Sequence, residues 1–197
     1  MWTKEILGTD VLHLVQCFII YSMLGWLVES IYMSLCNKKF TNRGFATSPI
    51  CPIYGFGGVL GYLILHPLSQ NVFLLYIAGA LVATVFEYFV AKLMNKVLGA
   101  VWWDYSEKPL NYKGVICAES TIAWGFYAVI IVNHLHKALL RMVDSIPTQI
   151  GIIACRAIMV WYAVDFVYHL LQALDINIKE YQQKVKNSYK SFRAKFW

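Results

Sequence analysis

Two glutamates stand inside long apolar runs, at Glu29 and Glu87. A carboxylate at membrane depth costs a few kcal/mol, so each must face a helix bundle and find a partner there. Helical steps of three and four residues put Ser22, Gly25, Tyr32 and Cys36 on the Glu29 face. They put Ala80, Thr84 and Ala91 beside Glu87. Small and polar stripes of this kind suit close packing or the lining of a cavity. Arg43 and Lys113, in the connections that follow, are the expected cationic partners. Two readings stand together: ion pairs that fasten loops to helices, or a site for a solute or lipid headgroup.

The stretch Trp102-Trp103-Asp104-Tyr105-Ser106 is the second candidate. Trp and Tyr favour the membrane interface, which predicts an interfacial belt helix. Alternatively, Asp104 presents a carboxylate to a cationic ligand held by Trp faces. Gly55, Gly57, Gly58 and Gly61 form a small-residue face with Gly57 and Gly61 in register, expected to pack a helix closely. No GK[ST] follows them, so they are not a phosphate loop. Cys51 and Cys117 occupy matching places without metal-ligand spacing, and no metal or other cofactor is expected. Asp165 and His169, one turn apart, suggest a local hydrogen-bonded pair.

The elements that must position these residues follow from composition. Of 197 residues, 59% are hydrophobic and only 14% charged, against about a quarter charged in soluble domains. A bilayer-spanning helix takes roughly 20 apolar residues. Five runs qualify as spans: 11–35, 52–68 (short, proline-flanked and glycine-rich), 72–93, 115–135 and 148–174. The fold class is therefore all-α, a polytopic membrane bundle of about five helices over residues 1–175. The first run lacks a basic leader and a cleavage site, and is read as a permanent span. Five cysteines without a CxxC suit a reduced setting.

Lysines and arginines sort the loops. Thirteen lie in the first loop, around the third and in the tail, and three on the opposite side. The split puts the N-terminus outside and the C-terminus in the cytoplasm of a multi-pass cell-membrane protein. Basic loops facing an anionic leaflet account for the net charge of +6, so no nucleic acid is expected. Residues 176–197 form a basic tail. Ile178, Tyr181, Val185, Tyr189, Phe192 and Phe196 recur in it at helical spacing, which suggests an amphipathic helix on the inner leaflet. A solvated extension of the fifth helix fits equally.

The first two spans resemble the next two. Glu29 and Glu87 are followed by Asn42-Arg43-Gly44 and Asn111-Tyr112-Lys113-Gly114. Then come Tyr54-Gly55-Phe56 and Trp124-Gly125-Phe126. Such units would be parallel repeats.

These strings, with Tyr21-Ser22, Gly25-Trp26, Cys51-Pro52-Ile53, Glu87-Tyr88, Pro109 and the WWDYS run, resemble the type IV ABC-transporter permease family, also called CmpB-like. The resemblance covers roughly 21–126. Ala46-Thr47-Ser48 and Val115 depart from its usual pattern. It implies a bacterial inner-membrane transporter component, with any ATPase on a separate protein because no Walker A motif is present. The candidate ligand-binding set is then Glu29, Arg43, Tyr54, Glu87, Trp103, Asp104, Tyr105, Asn111 and Trp124, lining or gating a cytoplasm-facing cavity for a small solute or lipid-related ligand. Catalytic residues are not identified. Membrane lipid, a homodimer and a separate ATPase subunit are the expected partners. The alternatives are a membrane-embedded enzyme acting on a lipid-linked substrate, with Glu29 or Glu87 as acid or base, and a structural or regulatory membrane subunit.

Overall fold

The computed structural model describes the backbone of residues 2, 5–6, 9–99 and 101–196, and side chains of 2, 9–99, 101–174, 183 and 186. Five helices follow in order: α1 (Val11–Asn37), α2 (Pro52–Leu65), α3 (Val72–Leu98), α4 (Ala118–Asp144) and α5 (Thr148–Phe196). A π-helical stretch, Ile131–Leu135, interrupts α4. Strand structure among the described residues is limited to two-residue pairs at 5–10 and 111–117. Asp10 and Asn71 start α1 and α3 by accepting from the backbone N–H groups of His13 and Leu74 at 2.8 and 3.0 Å. These are ordinary N-caps that satisfy otherwise orphaned donors.

Among the described residues four helices are long and apolar enough to cross a membrane: α1, α3, α4 and the Thr148–Leu174 part of α5. Each of these 27-residue stretches reaches about 40 Å at 1.5 Å per residue, ample for a hydrocarbon core of about 30 Å. The chain is a multi-pass membrane protein. Large side chains such as Val28, Leu81, Phe89, Val160 and Leu171 are exposed along the outside of the bundle, where lipid replaces water as the solvent. Helix α4 runs on to Asp144, beyond the expected end near Leu135.

Helix α2 is the short member, with 14 residues. Its start explains why. The backbone N–H of Cys51, its N-cap, donates to the Ser22 carbonyl at 3.1 Å. Ser22 lies 15 residues before the end of α1, or about 22 Å back along it. Residues 38–51 therefore fold back along α1 before α2 begins. Irregular backbone at such depth must have its polar groups satisfied by protein. Here Thr41 N–H donates to Ser34 Oγ, Arg43 N–H to Ser30 Oγ, and Ser48 N–H to Asp165 Oδ2, at 2.9, 3.2 and 2.7 Å.

Close approach of α1 and α2 depends on glycines in a register different from the expected one. A Cβ on Gly55 would collide with Ser22 and stand 2.6 Å from the Phe18 ring. One on Gly58 would stand 2.6 Å from the Tyr21 ring, and one on Gly25 would run into the Tyr54 ring. Gly57 would meet only Phe86 at 3.5 Å, and Gly61 nothing within 4 Å. The packing face is thus Gly55 and Gly58, because the depth at which α2 starts sets which of its sides meets α1.

Helix α5 closes the bundle. Its Cys155 is buried with Leu12 and Ile19 of α1, and Phe166 packs on Phe45 of the first loop at 5.1 Å. Asp165 and His169 do form the expected pair, at 3.3 Å, and Asp165 also holds the first loop through Ser48. The helical backbone continues to Phe196. The side chains of the expected amphipathic tail face, from Ile178 to Phe196, lie outside the described residues.

Candidate functional site

Glu29 projects from the loop-side half of α1 toward the returning first loop. Arg43 forks onto one of its oxygens, with Nε and Nη2 both 2.8 Å from Oε1. Tyr54, from the first turn of α2, donates its hydroxyl to Oε2 at 2.6 Å. Both members of the ion pair are about one-fifth exposed, 23% for Glu29 and 19% for Arg43. Arg43 Nη2 also donates to the Trp102 carbonyl at 3.1 Å. One guanidinium therefore joins α1, the first loop and the second loop. A planar fork can do this, whereas a lysine ammonium offers a single point of charge.

Glu87 is met differently. It is 6% exposed and takes three neutral donors: Tyr105 on Oε1 at 3.1 Å, and Ser120 and Trp124 on Oε2 at 3.3 and 3.1 Å. Lys113, its expected partner, lies instead over the Tyr112 ring, 5.2 Å from the centroid. Lys113 and Gly114 both adopt positive φ, at +55° and +68°, and the lysine of this turn does not reach Glu87. The glutamate reads as hydrogen-bonded rather than ion-paired, which matches the general requirement that buried polar groups be satisfied.

The two helix pairs are built alike around these glutamates. Tyr54 donates to Glu29 and Trp124 to Glu87. The residues that follow, Gly55 and Gly125, both press on an aromatic ring, of Phe18 and Tyr76, with a hypothetical Cβ 2.6 Å away in each case. Phe18 and Tyr76 each lie eleven residues before their glutamate. They meet Phe56 and Phe126 edge to face, at 4.9 and 5.0 Å. The second connection is longer: 25 residues separate Glu29 from Tyr54, and 37 separate Glu87 from Trp124.

That extra length carries the WWDYS segment, which forms a turn-rich loop and not the expected interfacial helix. Its conformation is held from within. Asp104 Oδ1 accepts from the backbone N–H and the hydroxyl of Ser106 at 2.8 and 2.6 Å. These bonds, the hydroxyl's foremost, hold its carboxyl below the usual range. Asn111 donates to the carbonyls of Ser106 and Lys108 and accepts from Gly114 N–H. Trp103 Nε1 donates to the Val115 carbonyl at 2.9 Å. Burial, with the Glu87 charge beside it, raises the Tyr105 phenol above its ordinary range.

Between this loop and the end of α3 lies a cavity of about 260 Å³. Trp102, Trp103, Asp104 and Lys113 face it from the loop, Met94 and Asn95 from α3. Of the nine residues expected to bind ligand, Trp103 and Asp104 line this space. Glu87, Tyr105 and Trp124 form the hydrogen-bonded core beneath the loop, and Asn111 braces its turn. Glu29, Arg43 and Tyr54 form the matching core of the first unit, joined to the second by Trp102. Sequence reasoning missed Ser120 and Asn95, and it did not foresee that the Trp102 carbonyl would take Arg43. Ser120 carried a usable signal, since it stands three residues after Cys117, as Tyr54 stands after Cys51.

A family profile described as "Putative ABC-transporter type IV" (CmpB) matches residues 16–170. No curated protein matches the chain, and no solved structure does. The profile spans both helix pairs, both loops and most of the membrane part of α5, and the chain belongs to this ABC-transporter family.

Proposed function

We propose that this member of the type IV ABC-transporter family is the membrane-embedded permease component of a transporter. Its loop-end cavity takes a small solute or a lipid headgroup, and a separate ATPase subunit supplies the energy. The observation that carries the reading is the pair of glutamate-centred cores inside a multi-pass bundle, joined by Arg43 to Trp102. Ionisable groups within a membrane bundle are costly and commonly line substrate or ion pathways. The charge asymmetry supports a cytoplasmic loop end, and with it a cytoplasm-facing cavity and an outside N-terminus, on the side where an ATPase would dock. A second copy of the chain would complete a pathway that five helices alone are few to enclose.

One observation favours a second reading, a structural or regulatory membrane subunit: both oxygens of each glutamate are already engaged.

The test is purification of the tagged chain from its native membrane in mild detergent, followed by reconstitution in nanodiscs. The permease reading expects an ABC-type nucleotide-binding subunit in stoichiometric amount and ATP hydrolysis by the complex. A chain that purifies without such a subunit, and without hydrolysis after gentle crosslinking, rules the reading out.

A further inference from the structure

At the end of the bundle opposite the two long loops, α1 packs along the last nine residues of α4, His136–Asp144. The Tyr21 hydroxyl and His136 Nδ1 lie 2.9 Å apart. About two turns further along the seam, His13 Nε2 lies 2.9 Å from Asp144 Oδ1. Cys17 and Leu139 are buried together between these contacts. The other ring nitrogen of His13 is taken as well, with Nδ1 2.7 Å from Asp10 Oδ1. Both nitrogens therefore face carboxylate oxygens. An ionised carboxylate only accepts, and a neutral imidazole carries a single N–H. The arrangement is complete only with an imidazolium, which donates from both nitrogens and sets its charge between two anions. His13 is 26% exposed and Asp144 64%, so protons from bulk water reach the contact. No neighbouring cation takes its place. Lys137 and Arg141, on the same α4 segment, make no ion pair among the described residues. Arg156 of α5 lies over the Trp2 ring. His136 is held by Tyr21 and stacks on Tyr62, which stacks in turn on His66. Glu5 pairs with Asp10 through its backbone, and its side chain lies outside the described residues.

We propose that His13 is a proton-operated clasp. As an imidazolium it ties the start of α1 to the end of α4 through Asp10 and Asp144, and its deprotonation releases His136–Asp144 from α1. The releasing segment has a pivot. The π-helical stretch Ile131–Leu135 immediately precedes it, a departure from α-helical geometry that recurs at functional sites. The sign follows from the proton count. The clasped form holds one proton more than an open form with a neutral imidazole, so a rising pH favours opening. The clasp goes beyond the permease reading, to which it adds a gate at the end away from the loops. Its geometry does not depend on that reading.

The experiment uses the full chain in lipid bilayers and has two readouts. Solid-state NMR of nitrogen-labelled histidine, with His13 assigned by its loss in His13→Gln, reports which ring nitrogens are protonated. Amide exchange of residues 136–144, corrected for intrinsic rate and referenced to α3, reports release. Between about pH 5.5 and 9, on either side of the ordinary histidine range, wild-type protection in 136–144 should fall about tenfold. His13 should carry both protons at the lower pH and lose one over the same interval. His13→Gln should show the low protection at both pH values. Asp144→Asn, at an exposed helix end and with an oxygen that still accepts, should lower the pH at which His13 gives up its proton and the segment opens. A neutral His13 at the lower pH overturns the proposal, and so does wild-type protection indifferent to pH. A pH response that survives in His13→Gln also overturns it, and assigns the titration to His136 or His66. An ATPase-associated chain without the pH response overturns the clasp alone. A chain that shows the response but recruits no ATPase overturns the permease reading alone.

Discussion

The Tyr54 hydroxyl meets Glu29 Oε2 at 2.6 Å, and with the Cys51–Ser22 backbone bond it ties the first turn of α2 to α1. Trp124, in the second turn of α4, makes the corresponding bond to Glu87 at 3.1 Å in the second helix pair. Each pair is thus a helix bearing a glutamate, a loop that returns along it, and a partner helix pinned to the carboxylate by an aromatic donor. Because the donors differ in kind, phenol and indole, the likeness lies in the geometry more than in the residue names.

The α1–α2 seam is expected to depend on Gly55 and Gly58 and not on Gly61. Gly58→Ala forces a methyl against the Tyr21 ring and should destabilise by about 1–3 kcal/mol. Gly61→Ala, where nothing lies within 4 Å, should match or slightly exceed wild type, since alanine is the better helix former. Melting of the purified protein in detergent, read by size-exclusion recovery, checks both. Equal losses at the two positions would show that the packing register is wrong.

Arg43 should be more costly to lose alone than together with its partner. Arg43→Met leaves Glu29 with only Tyr54 at membrane depth, and removing one member of a buried pair costs more than neutralising both. The part-exposed setting puts the single-variant loss at about 2 kcal/mol, after discounting for screening. In Glu29→Gln/Arg43→Met much of that loss should return. A double-mutant cycle on chemical unfolding measures the coupling, and additive losses would dissolve the pair as an energetic unit.

The second loop should loosen in acid. Hydrogen bonds from Ser106 hold Asp104 below its ordinary value of 3.8. A group lowered in the folded state stabilises above its unfolded pKa, and that contribution disappears as the pH falls through the lower, folded value. Order in residues 102–114 should therefore persist at pH 5 and fall away below about 3.8. Ser106→Ala should move the Asp104 titration up toward that figure. Carboxyl-carbon NMR of aspartate-labelled protein follows both changes, and an Asp104 titration indifferent to Ser106 would refute the capping account.

Orientation can be read with a native thiol. Cys36 is exposed at the loop end of α1, and Ser145 is exposed at the opposite end, just after α4. An impermeant maleimide should label Cys36 only in inside-out vesicles, and a Ser145→Cys variant in a Cys36→Ser background only in right-side-out ones. The opposite pattern would invert the topology argued from loop charge.

Much of this was legible in the sequence because bilayer-scale apolar runs are hard to mistake, and because an intramembrane glutamate announces itself. The family profile over 16–170 agrees with the resemblance carried by the CPIYGFG and WWDYS strings. Three things were not legible. Lys113 was matched to Glu87 by analogy with Arg43, but in its turn of two consecutive positive-φ residues it does not reach Glu87, and neutral donors replace it. The glycine register of α2 depends on where the first loop ends, which no local pattern states. The WWDYS segment looks helical by its aromatics, yet Asp104 and Asn111 satisfy their own loop's backbone, the usual way such side chains compete with helix.

The account turns most directly on ATP hydrolysis per assembled complex, compared in nanodiscs for wild type and Glu87→Gln. Glutamine keeps an oxygen for Trp124 and removes the charge. If the glutamate cores serve transport, the variant should insert and assemble at wild-type yield while hydrolysis falls about tenfold, a barrier change near 1.4 kcal/mol. If yield and melting drop while hydrolysis per complex stays at the wild-type rate, Glu87 only fastens a loop to a helix, and the functional account of these cores is wrong.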